Sequence, residues 1–146
     1  MEFQHHLFSE LNIQQLYDIL QLRSEVFVVE QNCVYQDIDG HDQEAIHILS
    51  YDHDTLVAYA RILPSGSYFK QISIGRIIVK ESHRGIQLGH KLMEFCLSFI
   101  FENSGQQTIK ISAQEHLKSF YEQHGFIQSG KGYLEDGIPH IAMLRS

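Results

Sequence analysis

The run Ile72–Phe101, ISIGRIIVKESHRGIQLGHKLMEFCLSFIF, decides how this chain folds. Its opening, ISIGRIIV, is apolar almost throughout and rich in isoleucine, which marks a buried strand. Further on, Leu88, Leu92, Phe95, Cys96, Phe99 and Ile100 recur at helical spacing and give one apolar face. Between strand and helix lies a loop containing Arg84, Gly85 and Gly89. Such a loop has two readings. Free N–H groups at a helix N-terminus favour phosphate, glycine lets the backbone approach it, and Arg84 adds a fork of donors. The plainer reading is a strand-to-helix turn whose glycines serve only backbone geometry. The loop is no P-loop, since no Gly-Lys pair followed by Ser or Thr is present, and it does not fit G-x-G-x-x-G.

Outward from this unit, FQHHLF reads as a first strand, and IQQLYDILQLRSEVFVVEQ as one or two helices with Leu16, Ile19, Leu20, Leu22, Val26 and Phe27 at helical spacing. CVYQDIDGHDQE is a polar loop. AIHILSYD and TLVAYARILP read as a hairpin turning at His53-Asp54. After the central helix come the strand TIKISA and a short helix, EHLKSFYEQH, closed by Gly125. FIQSGKGYL and IPHIAMLR are final strands around the turn EDGIP. This order gives an α/β (α+β) fold in which a mixed central sheet of about six to seven strands is flanked by about four helices. Its strand–loop–helix–strand centre is a parallel crossover.

The 146 residues suit one domain, residues 1–146, and the 43% apolar and 20% charged content exclude a disordered chain. A net charge of −7 weighs against nucleic acid, whose phosphates call for clustered Lys and Arg. It would draw cationic ligands such as amines weakly; a charge kept for solubility explains it equally well. Cys33 and Cys96 form no C-x-x-C pair, and Cys96 lies on the apolar helix face. The N-terminal stretch MEFQHHLFSEL lacks the basic and apolar regions of a signal peptide, and no apolar run reaches membrane-spanning length. The expectation is a cytoplasmic protein without a membrane partner.

DIDGHD fails the calcium-loop template, because Asp42 stands at position 6 and Ile48 at position 12. None of the ten histidines forms an H-x-x-x-H or H-x-H pair, so no metal is expected. Arg61 and Arg76 are charges inside apolar strands and need partners. Arg76 reads as structural, and Arg61 as a contact for a substrate carboxylate or a structural Asp. Tyr121 and His140 are, on spacing alone, ordinary residues of a short helix and a terminal strand.

HRGIQLGHKLM resembles the pyrophosphate loop of the GNAT superfamily of N-acetyltransferases. That loop reads Gln or Arg, two residues, Gly, any residue, then Gly or Ala; Arg84 and Gly89 match its ends, and Gln87 replaces its usual glycine. SFYEQHGF is similar to the family's segment with Tyr four residues before Gly-Phe. LQLRSEVFVVEQ, YQDIDGHD, VAYARIL, IGRIIV and EDGIPHIAM together look like the ElaA-like branch, in which the Gln87 position need not be glycine.

The resemblance implies an N-acetyltransferase that moves an acetyl group from acetyl-CoA, its co-substrate, to a primary amine of a small molecule or peptide by direct attack. It implies that the cofactor lies where the strand ending at Val79 parts from the strand ending at Ala113. The backbones of Ile77, Ile78 and Val79 would meet pantetheine and the thioester carbonyl. The N–H groups of Arg84, Gly85, Ile86, Gln87, Leu88, Gly89 and His90 would cradle the pyrophosphate, with Gln114 a further contact. Tyr121 would be the general acid for the departing thiolate. Asp37, Asp39, Arg61 and His140 are the candidate substrate contacts. Many members carry a Glu base on the strand equivalent to QISIGRIIV, which has none here. Asp37, Asp39, Glu30 and His140 are the alternatives, directly or through water. That gap keeps open a non-catalytic acyl-CoA binder or an interaction protein on the same fold. Family members often pair as homodimers.

Overall fold

The structure is a computed structural model and describes residues 2–146. Eight strands form one sheet: β1 (Phe3–Leu7), β2 (Ile46–Asp52), β3 (Thr55–Leu63), β4 (Ile72–Val79), β5 (Ile109–Gln114), β6 (Ile127–Gln128), β7 (Tyr133–Glu135) and β8 (Ile138–Arg145). Their order is β1-β2-β3-β4-β5-β8-β6, with β7 also on β8. All pairs are antiparallel except β4–β5, the crossover expected around the central helix.

Strand alternation divides the apolar side chains between two cores. On one face, Ile48, Ala58, Ala60, Ile62, Ile74, Ile111 and Met143 pack beneath α2 (Leu88–Ser104), which buries Leu88, Leu92, Met93, Cys96 and Ile100. Burial pushes the Cys96 thiol up to about 12, so it is an inert core residue. On the other, Leu49, Tyr59 and Ile78 meet Ile19, Leu22 and Val26 of the first helical segment.

That segment starts as α1 (Ile13–Arg23), where Asn12 and Gln15 each bond the other's backbone N–H in a capping box. It continues from Ser24 to Glu30 as a π-helix, with bonds from Gln31 N–H to the Val26 carbonyl and from Cys33 N–H to the Val28 carbonyl. Three α-helices therefore stand where about four were expected; the third is α3 (Lys118–Glu122), ended near Gly125 at φ +90°. FIQSGKGYL, expected as one strand, is two. Gly130 at φ +84° turns the chain between β6 and β7, and β8 partners each in succession. The turn at Asp136-Gly137, φ +51° and +78°, is a tight hairpin of the I′ kind. Among the described residues, no helix is long and apolar enough to cross a membrane.

Candidate active site

The site begins with a defect in the sheet. From the pair Tyr59↔Ile78 to the pair Arg61↔Gly75, β3 advances two residues and β4 three. The extra residue makes a bulge, and Arg76 takes a left-handed φ of +48° inside it. Parallel pairing of β4 with β5 stops at Ile72↔Ile109 and Ser73↔Lys110. Beyond it the strands part, and the β4 backbone from Gly75 to Val79 faces a gap instead of a neighbour.

Two clefts open from this gap. One, of about 520 Å³, is lined by Ile77, Ile78 and Val79 of β4, the loop residues Arg84, Gly85 and Gln87, and the start of α2 at Leu88, Gly89 and His90. The first helical bond of α2 runs from Lys91 N–H to the Gln87 carbonyl, so the N–H groups of Leu88, Gly89 and His90 precede the ladder and are free for a ligand. Gln87 itself adopts φ +65° and turns the chain into the helix. A Cβ on Gly89 would stand 3.6–3.7 Å from Phe120 and Val79, both cleft residues, so anything larger would fill the cleft. Arg84 is bidentate on Glu30 at 2.7 and 3.0 Å and donates from Nε to the Val79 carbonyl. His90 and His124 meet at 2.8 Å beside Phe120. Burial and the neighbouring His90 lower the pKa of His124.

The second cleft, of about 460 Å³, is lined by Phe27, Tyr35, Asp39, His41, Tyr68, Arg76, Glu135, Asp136 and His140. The clefts share Phe27, Gln31, Ile77, Gln114, Leu117 and Tyr121. Tyr121 is 6% exposed, and its hydroxyl has no hydrogen-bond partner among the described residues. Burial raises its pKa above the usual value near 10, which keeps it protonated.

One wall of the second cleft is an ion network. The fully buried Arg23 holds Asp37 at 2.8 Å and Asp42 at 2.6 Å. Arg61 holds Asp39 through two nitrogens, at 2.8 and 2.5 Å, and Asp42 at 3.0 Å. Arg76 donates to Asp37 at 2.7 Å and Asp39 at 3.4 Å. Burial works against the charge of Asp39, but the bonds from Arg61 and the His41 N–H outweigh it and hold that carboxyl well below its usual range. Tyr59 donates to His47 Nδ1 at 2.7 Å, and His47 Nε2 donates to the Asp42 carbonyl at 2.8 Å, extending the network inward. Arg61 Nε is buried without a partner.

Residues 10–146 match the family model described as an acetyltransferase (GNAT) domain. The chain belongs to the GNAT family. It is 50% identical over 143 residues to protein ElaA of Escherichia coli, covering 97% of this chain and 92% of that one. The crystal structure of E. coli ElaA superposes with a TM-score of 0.94 at 47% identity over all of both chains. An acyl-CoA N-acyltransferase from Pseudomonas aeruginosa matches equally well, TM-score 0.94 at 39% identity over 99% of each chain. An aminoglycoside 6′-N-acetyltransferase solved with coenzyme A shares the fold, TM-score 0.74 at 18% identity over 99% of this chain and 96% of that one. The eight-stranded mixed sheet is thus the GNAT fold. The protein is an acyltransferase of this family, with acyl-CoA as co-substrate.

Against the GNAT expectations, Ile77, Ile78, Val79, Arg84, Gly85, Gln87, Leu88, Gly89, His90, Gln114 and Tyr121 line the first cleft together. Ile86 does not; its side chain is 52% exposed. Arg61 and Asp37 line neither cleft: Arg61 is taken up by Asp39 and Asp42, and Asp37 by Arg23 and Arg76. Asp39 reaches the second cleft but is taken up by Arg61, which leaves it a poor base. Arg76, read as structural, is held by Asp37 and Asp39 and lines that cleft as well. Glu30 is tied to Arg84 on the cofactor side. His140 lines the second cleft. Sequence reading missed Glu135 and Asp136: the pair was legible as turn chemistry before Gly137, with nothing to say which way the carboxylates face.

Proposed function

We propose that this GNAT enzyme transfers an acetyl group from acetyl-CoA to a primary amine by direct attack, with Tyr121 as general acid. The observation that carries this is the unpartnered Tyr121 hydroxyl where the two clefts meet. The residues present fit the cofactor. The β4 backbone from Gly75 to Val79, paired with β3 but open on the β5 side, matches the amides of a pantetheine arm, and the free N–H groups of Leu88, Gly89 and His90 suit a pyrophosphate. When bound, acetyl-CoA supplies the activated thioester.

The rest falls to the chain. Backbone N–H groups of Ile77 and Val79, on the side of β4 turned from β3, are placed to polarise the thioester carbonyl at the gap, and the apolar Phe27, Ile77 and Leu117 exclude water around it. Tyr121 gives its proton to the departing sulfur. A Tyr raised above its ordinary pKa is a weak acid for a thiolate in water, but the same dry surroundings raise the thiolate's basicity, as burial raises that of Cys96. The acceptor amine enters through the second cleft, whose Phe27, Tyr35 and Tyr68 offer aromatic faces to a cation.

The test is acetyl-CoA titration by calorimetry beside a thiol-release assay with primary amines. Tyr121→Phe should lower kcat by about 10²–10⁴-fold with acetyl-CoA affinity unchanged. An unaltered kcat would remove Tyr121 from the mechanism.

A further inference from the structure

We propose that Glu135 and His140 form the proton-accepting pair for the incoming amine, taking the place of the carboxylate that β4 lacks; this rests on the transfer reading above. The β7–β8 hairpin folds back at Asp136-Gly137 and brings Glu135 over His140. His140 Nδ1 lies 2.7 Å from the Ile138 carbonyl. A carbonyl only accepts, so Nδ1 carries the ring hydrogen, and Nε2 of the neutral ring bears a lone pair. Facing that lone pair at 3.4 Å is Oε2 of Glu135, which when ionised is also acceptor-only. Two acceptors confront each other with no donor between them. A protonated amine supplies what the arrangement lacks: N–H groups that can reach both.

The ring is held for this task. His140 is 7% exposed and lines the second cleft with Tyr121. Tyr133 stacks on it at 6.2 Å, and the Tyr133 hydroxyl is pinned to Ser112 Oγ of β5 at 2.5 Å. The other charges around the cleft do not compete for the proton. Asp39 is bound by Arg61, and Arg76 is engaged by Asp37 and Asp39. His41 is tied to Glu44 at 2.9 Å. The ion network balances three guanidiniums, Arg23, Arg61 and Arg76, against three carboxylates, Asp37, Asp39 and Asp42. Glu135 and Asp136 are left as the uncompensated negative charges of the cleft, on the His140 side.

The proton count closes. His140 Nε2 takes one proton from the ammonium, and Glu135 stabilises the imidazolium so formed. The freed amine attacks; a C–N bond forms as the C–S bond breaks. Sulfur receives the Tyr121 proton, and the second proton lost from nitrogen restores the tyrosine. The products are one amide, one thiol and one proton, which His140 releases to solvent.

The experiment is steady-state thiol release with acetyl-CoA and a panel of 1,4-diaminobutane, spermidine and a lysyl peptide, for wild type, His140→Ala, Glu135→Gln and Tyr121→Phe. His140→Ala should lose about 10²-fold in kcat/KM near neutral pH while binding acetyl-CoA as wild type does. Its loss should shrink about tenfold per pH unit towards the amine's own pKa near 10.4, since free base then forms without help. Added imidazole should restore part of the rate. Glu135→Gln, a change at a half-exposed side chain, should lose roughly tenfold with the same pH trend. Activity of His140→Ala within twofold of wild type overturns the proposal, as does a loss that is constant with pH and deaf to imidazole. Failure of the wild type on every amine, with Tyr121→Phe indistinguishable from it, overturns the transfer reading and this pair with it.

Discussion

The two clefts meet at Tyr121 yet are built from different material. The first is walled largely by backbone: the stretch of β4 left open on its β5 side, the turn at Gly85 and the leading N–H groups of α2. The second is walled by side chains, namely the Asp–Arg network on one side and Glu135, Asp136 and His140 on the other. A ligand shared by a whole family can be held by peptide groups, which every sequence carries. An acceptor particular to one enzyme has to be recognised by side chains, and those come from five separate stretches of this chain.

The sharpest way to break that contrast is at Gly89. Gly89→Trp fills the first cleft and should weaken acetyl-CoA binding more than 100-fold, on the order of 3 kcal/mol, while the far-UV spectrum and the second cleft stay intact. Calorimetry decides it; retained binding would mean the phosphate is held elsewhere.

Comparable in size is Arg23→Leu, which removes the buried guanidinium shared by Asp37 and Asp42 and leaves them only Arg76 and Arg61. It should cost about 3–5 kcal/mol of stability, read by urea denaturation, and disorder the second cleft before the first. If stability is unchanged, the network is ornament and the second cleft owes its shape to packing alone.

Acid should act through the same wall. Burial lowers the His47 pKa from its ordinary 6.5, so the unfolded chain takes up a proton that the folded one refuses. Its contribution is whole above pH 6.5 and declines as pH falls below it. Asp39 and Asp42, held below 3.8 by their guanidiniums, add a second decline once pH drops through that value. Thermal melts from pH 8 to pH 3 should therefore fall in two stages, and His47→Gln should lose the first.

The smallest effect is expected from Arg84→Ala. Arg84 must leave Glu30 to meet a phosphate, and the pair is partly exposed, so the net change in acetyl-CoA affinity should be only about three- to tenfold. A larger loss would show that this side chain, and not the backbone, dominates the first cleft.

The same contrast explains what could be read beforehand. ISIGRIIV, the helical face from Leu88 to Ile100 and the glycines of the loop are local signals, and strand, helix and first cleft follow from them. Asp39 and Arg61 were recognisable as residues needing partners, but nothing in their spacing says that each is the other's partner, 22 residues away. Local residue order carries no record of such pairings. That Arg76, held in the network, also lines the cleft was hidden for a related reason: the bulge at its position depends on register with β3. The π-helix was half visible, since Leu22, Val26 and Phe27 step four and five residues apart.

The parting of β4 from β5 has a consequence for how the molecule keeps to itself. Sheets ordinarily leave peptide groups unbonded only along their outer margins, where a second polypeptide can dock and propagate. Here the margins are modest, five residues in β1 at one edge and two in β6 and three in β7 at the other. The open peptide groups lie instead along an interior slit, with paired strands continuing on either side. On the reading proposed above, the amide-bearing arm of the co-substrate lies along that slit, between strands already bonded to β3 and β8. Hunger for hydrogen bonds is thereby kept at full strength for the right visitor and hidden from neighbours in a crowded solution.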